Sequence, residues 1–183
     1  MLTKKMESAL IGQITKEMYS AYLYMSMSNH AQTIGLKGFA NWFMVQYHEE
    51  MLHSMKFYEY IQKQGGSVTL KAMDEPPHVF KSPTDMFEQT LTHEHFITKS
   101  INELMDVAIG EKDHATQIFL QWYVSEQVEE EQNDNDILNS LKLIGADAHG
   151  LFMLDKDLAA RIVSIPTDFS KGVEAALAAK GAP

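Results

Sequence analysis

The sequence His48-Glu49-Glu50-Met51-Leu52-His53 lies within a long apolar and aromatic pattern that has the spacing of an α-helix. Glu50 and His53 are three residues apart, so a helix places them on one face, about one turn apart. Phe43 and Phe57 repeat on the same face. Burying a carboxylate and an imidazole is unfavourable unless they are paired or bind a metal. The function of this pair therefore depends on what the other helices place opposite it.

The composition is that of a folded, acidic chain. Its 183 residues favour one domain with a sizeable core, and 45% hydrophobic residues argue against disorder. A formal net charge of -10 argues against nucleic acids and anionic membranes as partners. The lack of cysteine excludes disulfides and thiolate metal sites. No signal peptide or membrane span of roughly 20 apolar residues is recognisable, so we expect a cytoplasmic protein.

Helical periodicity predicts four long helices and a short fifth one. Their approximate ranges are 3–34, 36–64, 82–109, 114–144 and 147–161. Thr3, Ser82 and Asp113 are suitable N-cap residues for three of them. The connection 67–81 contains two prolines and is long enough to span a bundle, so the third helix can run parallel to the second.

The expected fold is therefore all-α, a four-helix bundle with a long crossover between helices 2 and 3. The short fifth helix cannot complete that core and is expected to pack outside it. Residues 1–162 are predicted to form this single domain, and residues 163–183 are predicted to be a flexible tail.

Each long helix carries polar groups in the middle of its apolar stripe. These are Glu17 in the first helix, Glu50 and His53 in the second, Glu94 in the third, and Gln127 and Glu130 in the fourth. In a bundle these groups meet at one level, where four carboxylates cannot all stay ionised without cations. Dinuclear carboxylate bundles place one Glu on each of two helices and Glu-x-x-His on the other two. The fourth helix departs from that pattern, which predicts two unequal metal positions. Iron is favoured, with manganese or zinc as alternatives.

Further candidates surround this set. Glu49, Glu126 and Glu129 form either a third, more exposed metal position or a solvated acidic face. Tyr24 lies two turns after Glu17 on the same face. It is interpreted either as a partner of the metals, donating electrons or a hydrogen bond, or as an ordinary core residue. For Trp122, packing is favoured over a role as an electron donor.

Two acids lie farther along the fourth helix. Asp134 and Asp136 are interpreted as solvent-facing, with the lining of an entry channel as the alternative.

These motifs, in this order and spacing, resemble the ferritin family, in particular the non-haem ferritins of bacteria and archaea. The resemblance covers residues 1–162. It is carried by Glu17 with Tyr24, by the segment 48–53, by Glu94 and by the segment 119–131.

The resemblance implies a ferroxidase centre. Glu17, Glu50 and His53 would bind one iron, and Glu50, Glu94 and Glu130 the second, with Gln127 nearby. Glu49, Glu126, Glu129 and Glu130 correspond to the third iron position of prokaryotic ferritins. The resemblance also implies Fe(II) and dioxygen or hydrogen peroxide as substrates, and self-assembly into a homo-24-mer cage that stores ferric mineral.

Related families match less well. Bacterioferritins carry Glu-x-x-His on the fourth helix as well, where this chain has Gln127 and Glu130. They bind haem through a Met that corresponds to Met51, so residue type alone does not exclude haem. Haem is nevertheless not expected, because similar non-haem ferritins can carry a Met at this position too. Rubrerythrins need cysteine-ligated iron, which this chain cannot provide. Two other functions remain open: a non-catalytic helical cage or scaffold subunit, and a di-iron oxidase that acts on an organic substrate.

Overall fold

The structure is a computed structural model that describes residues 2–181, which form six helices. They are α1 (Lys4–Thr33), α2 (Lys37–Lys63), α3 (Pro83–Gly110), α4 (His114–Ile144), α5 (Ala148–Leu158) and α6 (Val173–Lys180). The four long helices agree with the predicted ranges to within one residue at each end. The all-α fold with a long crossover between α2 and α3 is confirmed. Among the described residues, no helix is both long and apolar enough to cross a membrane.

The predicted N-caps explain where three of the long helices begin. The Thr3 hydroxyl accepts a hydrogen bond from the backbone N–H of Met6 at 3.2 Å, before α1. Ser82 caps α3 through the N–H of Asp85 at 3.1 Å, and Pro83 occupies the first turn. Each cap satisfies a backbone donor that the helix leaves unpaired.

Two apolar clusters fill the bundle on either side of a polar layer. Tyr24, Phe43 and Phe87 belong to the first cluster. Ile14 and Phe57 belong to the second. The predicted site residues lie in sequence between these two sets on every long helix. The polar layer is therefore shielded from water on both sides.

α5 packs across the start of α2. The side chain of Asp155 accepts hydrogen bonds from the backbone N–H groups of Gly38 at 2.7 Å and Phe39 at 3.1 Å. Because Leu36 at the N-cap position of α2 has no polar side chain, α5 supplies the cap that α2 lacks. Leu158 is buried in the first cluster, so α5 closes one end of the bundle.

The C-terminal segment contains a helix that the sequence analysis did not predict. Val173 is buried, and its backbone N–H donates to Glu59 of α2. Lys63 of α2 forms a 2.6 Å ion pair with Glu174. An alanine-rich run then continues the helix, in keeping with the high helix propensity of alanine. The expectation of a loose tail is thus wrong for this part, while residues 182–183 lie outside the described range.

Candidate metal centre

One metal-binding group is formed where α1 and α2 face each other. Glu17, Glu50 and His53 each offer a ligand atom, and these atoms all lie within 4.8 Å of one another. All three side chains are buried, with Glu17 only 1% exposed. Gln13, one turn earlier, donates to Glu17 Oε1 at 2.8 Å, whereas Glu17 Oε2 has no partner among the described residues. Two carboxylates and one imidazole at this spacing fit a divalent cation.

Glu94 of α3 lies between donors from two other helices. The Tyr24 hydroxyl donates to Glu94 Oε1, and the Gln127 amide donates to Glu94 Oε2 at 3.0 Å. Tyr24 is thus beside the site, as one of its two interpretations predicted. The Gln127 amide nitrogen is committed to Glu94, so only its neutral carbonyl oxygen remains for a cation.

Glu130 of α4 connects the site to α2. Its Oε2 accepts a 2.8 Å hydrogen bond from the Gln46 amide. His53, Glu126 and Glu130 form a second group whose ligand atoms lie within 4.8 Å of one another. His53 therefore lies between two sets of carboxylates, one on each side of its ring.

The residues of the expected third position are only partly brought together. Glu126 Oε1 lies 3.8 Å from His53 Nε2, with the Glu126 side chain 28% exposed. Glu49 instead forms a 2.6 Å ion pair with Arg161. Glu129 is exposed, and within residues 2–181 the potential metal groups include neither Glu129 nor Glu49.

Burial dominates the electrostatics of the cluster. Burial raises the pKa of Glu17, Glu50 and Glu94 above the ordinary value, and for Glu50 the shift is large. Burial, together with the charge of Glu94, raises the pKa of Glu130 to about 8. Burial opposes the charged form of His53, but Glu50 and Glu126 outweigh it and raise the pKa of His53 well above its usual range. Without a cation the cluster therefore retains protons, and a divalent ion would displace them.

Asp134 is buried and not solvent-facing, which corrects the interpretation of this residue. It is 1% exposed and lies one turn after Glu130 on the inner face of α4. Burial and the charges of Glu94 and Glu130 raise the pKa of Asp134 to about 9. Its i+4 spacing from Glu130 was the sequence signal that could have identified it.

Three supporting residues were also missed. Gln13 lies one turn before Glu17 and donates to it, at the spacing where an amide can hold a carboxylate. Gln46 donates to Glu130 of another helix, across 84 positions. Arg161 follows α5 and pairs with Glu49 across 112 positions, so no local pattern indicates it.

Trp122 packs against the centre. Its ring centroid lies 5.3 Å from that of His53, and the Lys56 ammonium lies 3.0 Å from the Trp122 ring centroid. This aromatic and cationic cover excludes water from one side of the His53 ring.

Comparison with known proteins agrees with this geometry. Residues 7–144 match the family model described as a ferritin-like domain. A bacterial non-heme ferritin of Campylobacter jejuni is 42% identical over 156 residues, which cover 85% of this chain and 93% of that protein. A bacterial non-heme ferritin of Bacteroides fragilis is 40% identical over 88% of this chain and all of that protein. An open-pore ferritin from Archaeoglobus fulgidus superimposes with a TM-score of 0.88 and 49% identity, covering 88% of this chain and 100% of that structure.

Proposed function

The chain belongs to the ferritin family, and from this premise we propose that it is an iron-storage ferritin with ferroxidase activity. The observation that carries the proposal is the buried group of Glu17, Glu50 and His53, beside which Glu94 and Glu130 are two further buried carboxyl groups. A purely structural layer would need donors for these carboxylates, and within residues 2–181 Glu17 Oε2 has no donor other than a protonated carboxyl group of Glu50.

Fe(II) is the substrate of this site. Glu17, Glu50 and His53 would hold one ion, while Glu50, Glu94 and Glu130 would hold the second. Two Fe(II) ions give up one electron each, and dioxygen takes up both with two protons to yield hydrogen peroxide. Hydrogen peroxide as oxidant would likewise take up two electrons and two protons to yield water. The carboxyl groups that iron deprotonates lie within the same layer and can supply those protons.

Unequal ligation supports release of the product. The first position has an imidazole, whereas the second has the neutral Gln127 amide, already bonded to Glu94. A weakly held Fe(III) can leave for storage, so iron passes through the site as a substrate and is not retained as a cofactor. A third ion at Glu126 and Glu130, with Glu49 and Glu129 as outer ligands, would lie on the more exposed side of His53.

Replacing Glu17 tests the assignment. We expect Glu17→Gln to bind about one Fe(II) fewer per chain without oxygen and to oxidise iron at least tenfold more slowly, since one carboxylate charge is lost. Anaerobic titration and stopped-flow absorbance measure the two quantities. Glu103→Gln, an exposed residue on α3, is the matched control and should behave as the parent.

The two other functions predict different results. A scaffold subunit would bind no Fe(II) in the parent protein, and an organic-substrate oxidase would bind iron but would not deposit mineral. An oxidation rate unchanged by Glu17→Gln would contradict the site assignment.

We further propose that the chain assembles as a homo-24-mer in the cytoplasm. The cage assignment is supported by relatives that match over nearly their full length. The cytoplasmic assignment is supported by the cysteine-free composition. Sizing the purified protein while measuring its iron content tests the cage.

A further inference from the structure

The side chain of Asp134 is an unexplained buried carboxylate. It lies on the inner face of α4, at the boundary between the polar layer and the apolar cluster that contains Leu138. Neither of its oxygens has a hydrogen-bond partner among residues 2–181. A buried carboxylate without partners is costly, and such a group normally calls for a specific explanation.

The surroundings of Asp134 are rich in oxygen acceptors. The pKa of Asp134 is raised by the charges of Glu94, Glu130 and Glu131 and lowered by the charge of Arg161. The Arg161 guanidinium is directed to Glu49 at 2.6 Å and lies over the Trp42 ring at 4.8 Å. Arg161 Nη1 is also buried without a hydrogen-bond partner, but within residues 2–181 no ion pair joins it to Asp134.

Gln46 also has a buried side-chain oxygen without a hydrogen-bond donor. Its amide nitrogen donates to Glu130, and its Oε1 has no partner within the described residues. The oxygens of Asp134 and Gln46 are thus all acceptors left unsatisfied. Protonation of Asp134 would lower the charge and supply a single O–H donor, which cannot satisfy all of these oxygens, whereas a cation can satisfy several of them at once.

We propose that Asp134 is a ligand of an additional divalent-cation position beside Glu130, separate from the iron pair and from the third position. Residues four apart on a helix can contact one ion together, which gives Glu130 and Asp134 suitable spacing. Within residues 2–181 no group of three acid or histidine ligands includes Asp134, so the position would rest on this pair of carboxylates. Oxygen ligands favour a hard divalent cation such as Fe(II) or Mn(II), with water completing the coordination. The assignment of Fe(II) as the natural ion rests on the proposed function. The existence of the site does not depend on it.

Crystals of the whole protein soaked in Mn(II) test this site without redox chemistry. The anomalous map is expected to show a peak within about 2.0–2.4 Å of an Asp134 oxygen. A map with peaks at Glu17, Glu50 and His53 but none at Asp134 overturns the inference and leaves the proposed function intact. A map with a peak at Asp134 alone supports the inference and contradicts the proposed function.

Calorimetric titration with Mn(II) gives an independent test in solution. Asp134→Asn, which keeps the shape of the side chain, should bind one Mn(II) fewer per chain than the parent. The matched control Asp136→Asn removes an exposed acid from the same helix and should keep the parent stoichiometry. Parent stoichiometry in a correctly sized Asp134→Asn variant would overturn the inference.

Discussion

Gln127 is the weakest of the predicted metal ligands, because it offers only a neutral amide oxygen, while its amide nitrogen donates to Glu94. Replacing it with histidine would place an imidazole one turn before Glu130 and give the second position a stronger ligand. We expect Gln127→His to retain iron after oxidation, with about two irons per chain resisting gel filtration against a chelator. If the variant released iron as readily as the parent, weak ligation would not explain the release.

The sequence predicted the buried polar layer because each of its members interrupts an apolar stripe. Glu17, Glu94 and Glu130 are visible in this way without any knowledge of tertiary contacts. Asp134 has the same periodicity, but its burial depends on how closely α4 approaches its neighbours, which a stripe does not specify. The pairing of Glu49 with Arg161 is harder still, since it joins residues that are distant in the chain.

At the level of elements, the contact between α2 and α5 leaves no space at Gly38. A Cβ atom at this position would lie 1.5 Å from the backbone oxygen of Asp155. We therefore expect Gly38→Ala to displace α5 and to remove the cap that Asp155 gives α2, which alone costs about 1 kcal/mol. Thermal unfolding and limited proteolysis after α5 measure the effect.

Gly12 provides the matched control for this prediction. It lies within α1, and a Cβ there would meet nothing within 4 Å. Gly12→Ala should therefore stabilise the chain by up to about 1 kcal/mol, because alanine favours the helix. Equal stability of the two variants would show that α5 does not depend on the Gly38 contact.

The sequence indicated where helices begin, but it did not indicate how α6 docks on α2. Thr3 and Ser82 were identifiable as caps because their partners lie three residues away. The docking of α6 depends on Glu59 and Lys63, more than a hundred positions earlier, so the alanine-rich run by itself did not indicate an ordered helix.

For the whole molecule, the acidic layer makes the stability of the metal-free protein depend on pH. Glu130 and Asp134 have ordinary pKa values of 4.5 and 3.8, which folding raises to about 8 and about 9. The folded state therefore binds more protons than the unfolded state across this interval. The associated stability is fully present below the ordinary values and is lost as the pH rises through 8 and 9. The raised pKa of His53 acts in the same direction.

We expect the midpoint of thermal unfolding in the presence of a chelator to fall by on the order of 10 °C between pH 6 and pH 8.5. Excess Mn(II) should abolish the fall, because ions replace the lost protons and bind only the folded state. Scanning calorimetry of the parent and of Glu130→Gln measures this, with a smaller slope expected for the variant. A midpoint that rises with pH in the metal-free parent would contradict the prediction.

Because Arg161 forms an ion pair with Glu49, its guanidinium competes with any metal ion for this carboxylate on the outer side of the centre. A cation that approaches Glu49 must displace the Arg161 guanidinium. The backbone that carries Arg161 is fixed at the end of α5, where Asn41 donates hydrogen bonds to the backbone oxygens of Leu158 and Arg161. Because the guanidinium is tethered, its effective concentration at Glu49 is in roughly the millimolar range and does not depend on the buffer. If iron binds at the proposed outer position, we expect it to occupy the inner ligands first and to reach Glu49 only when supply is high.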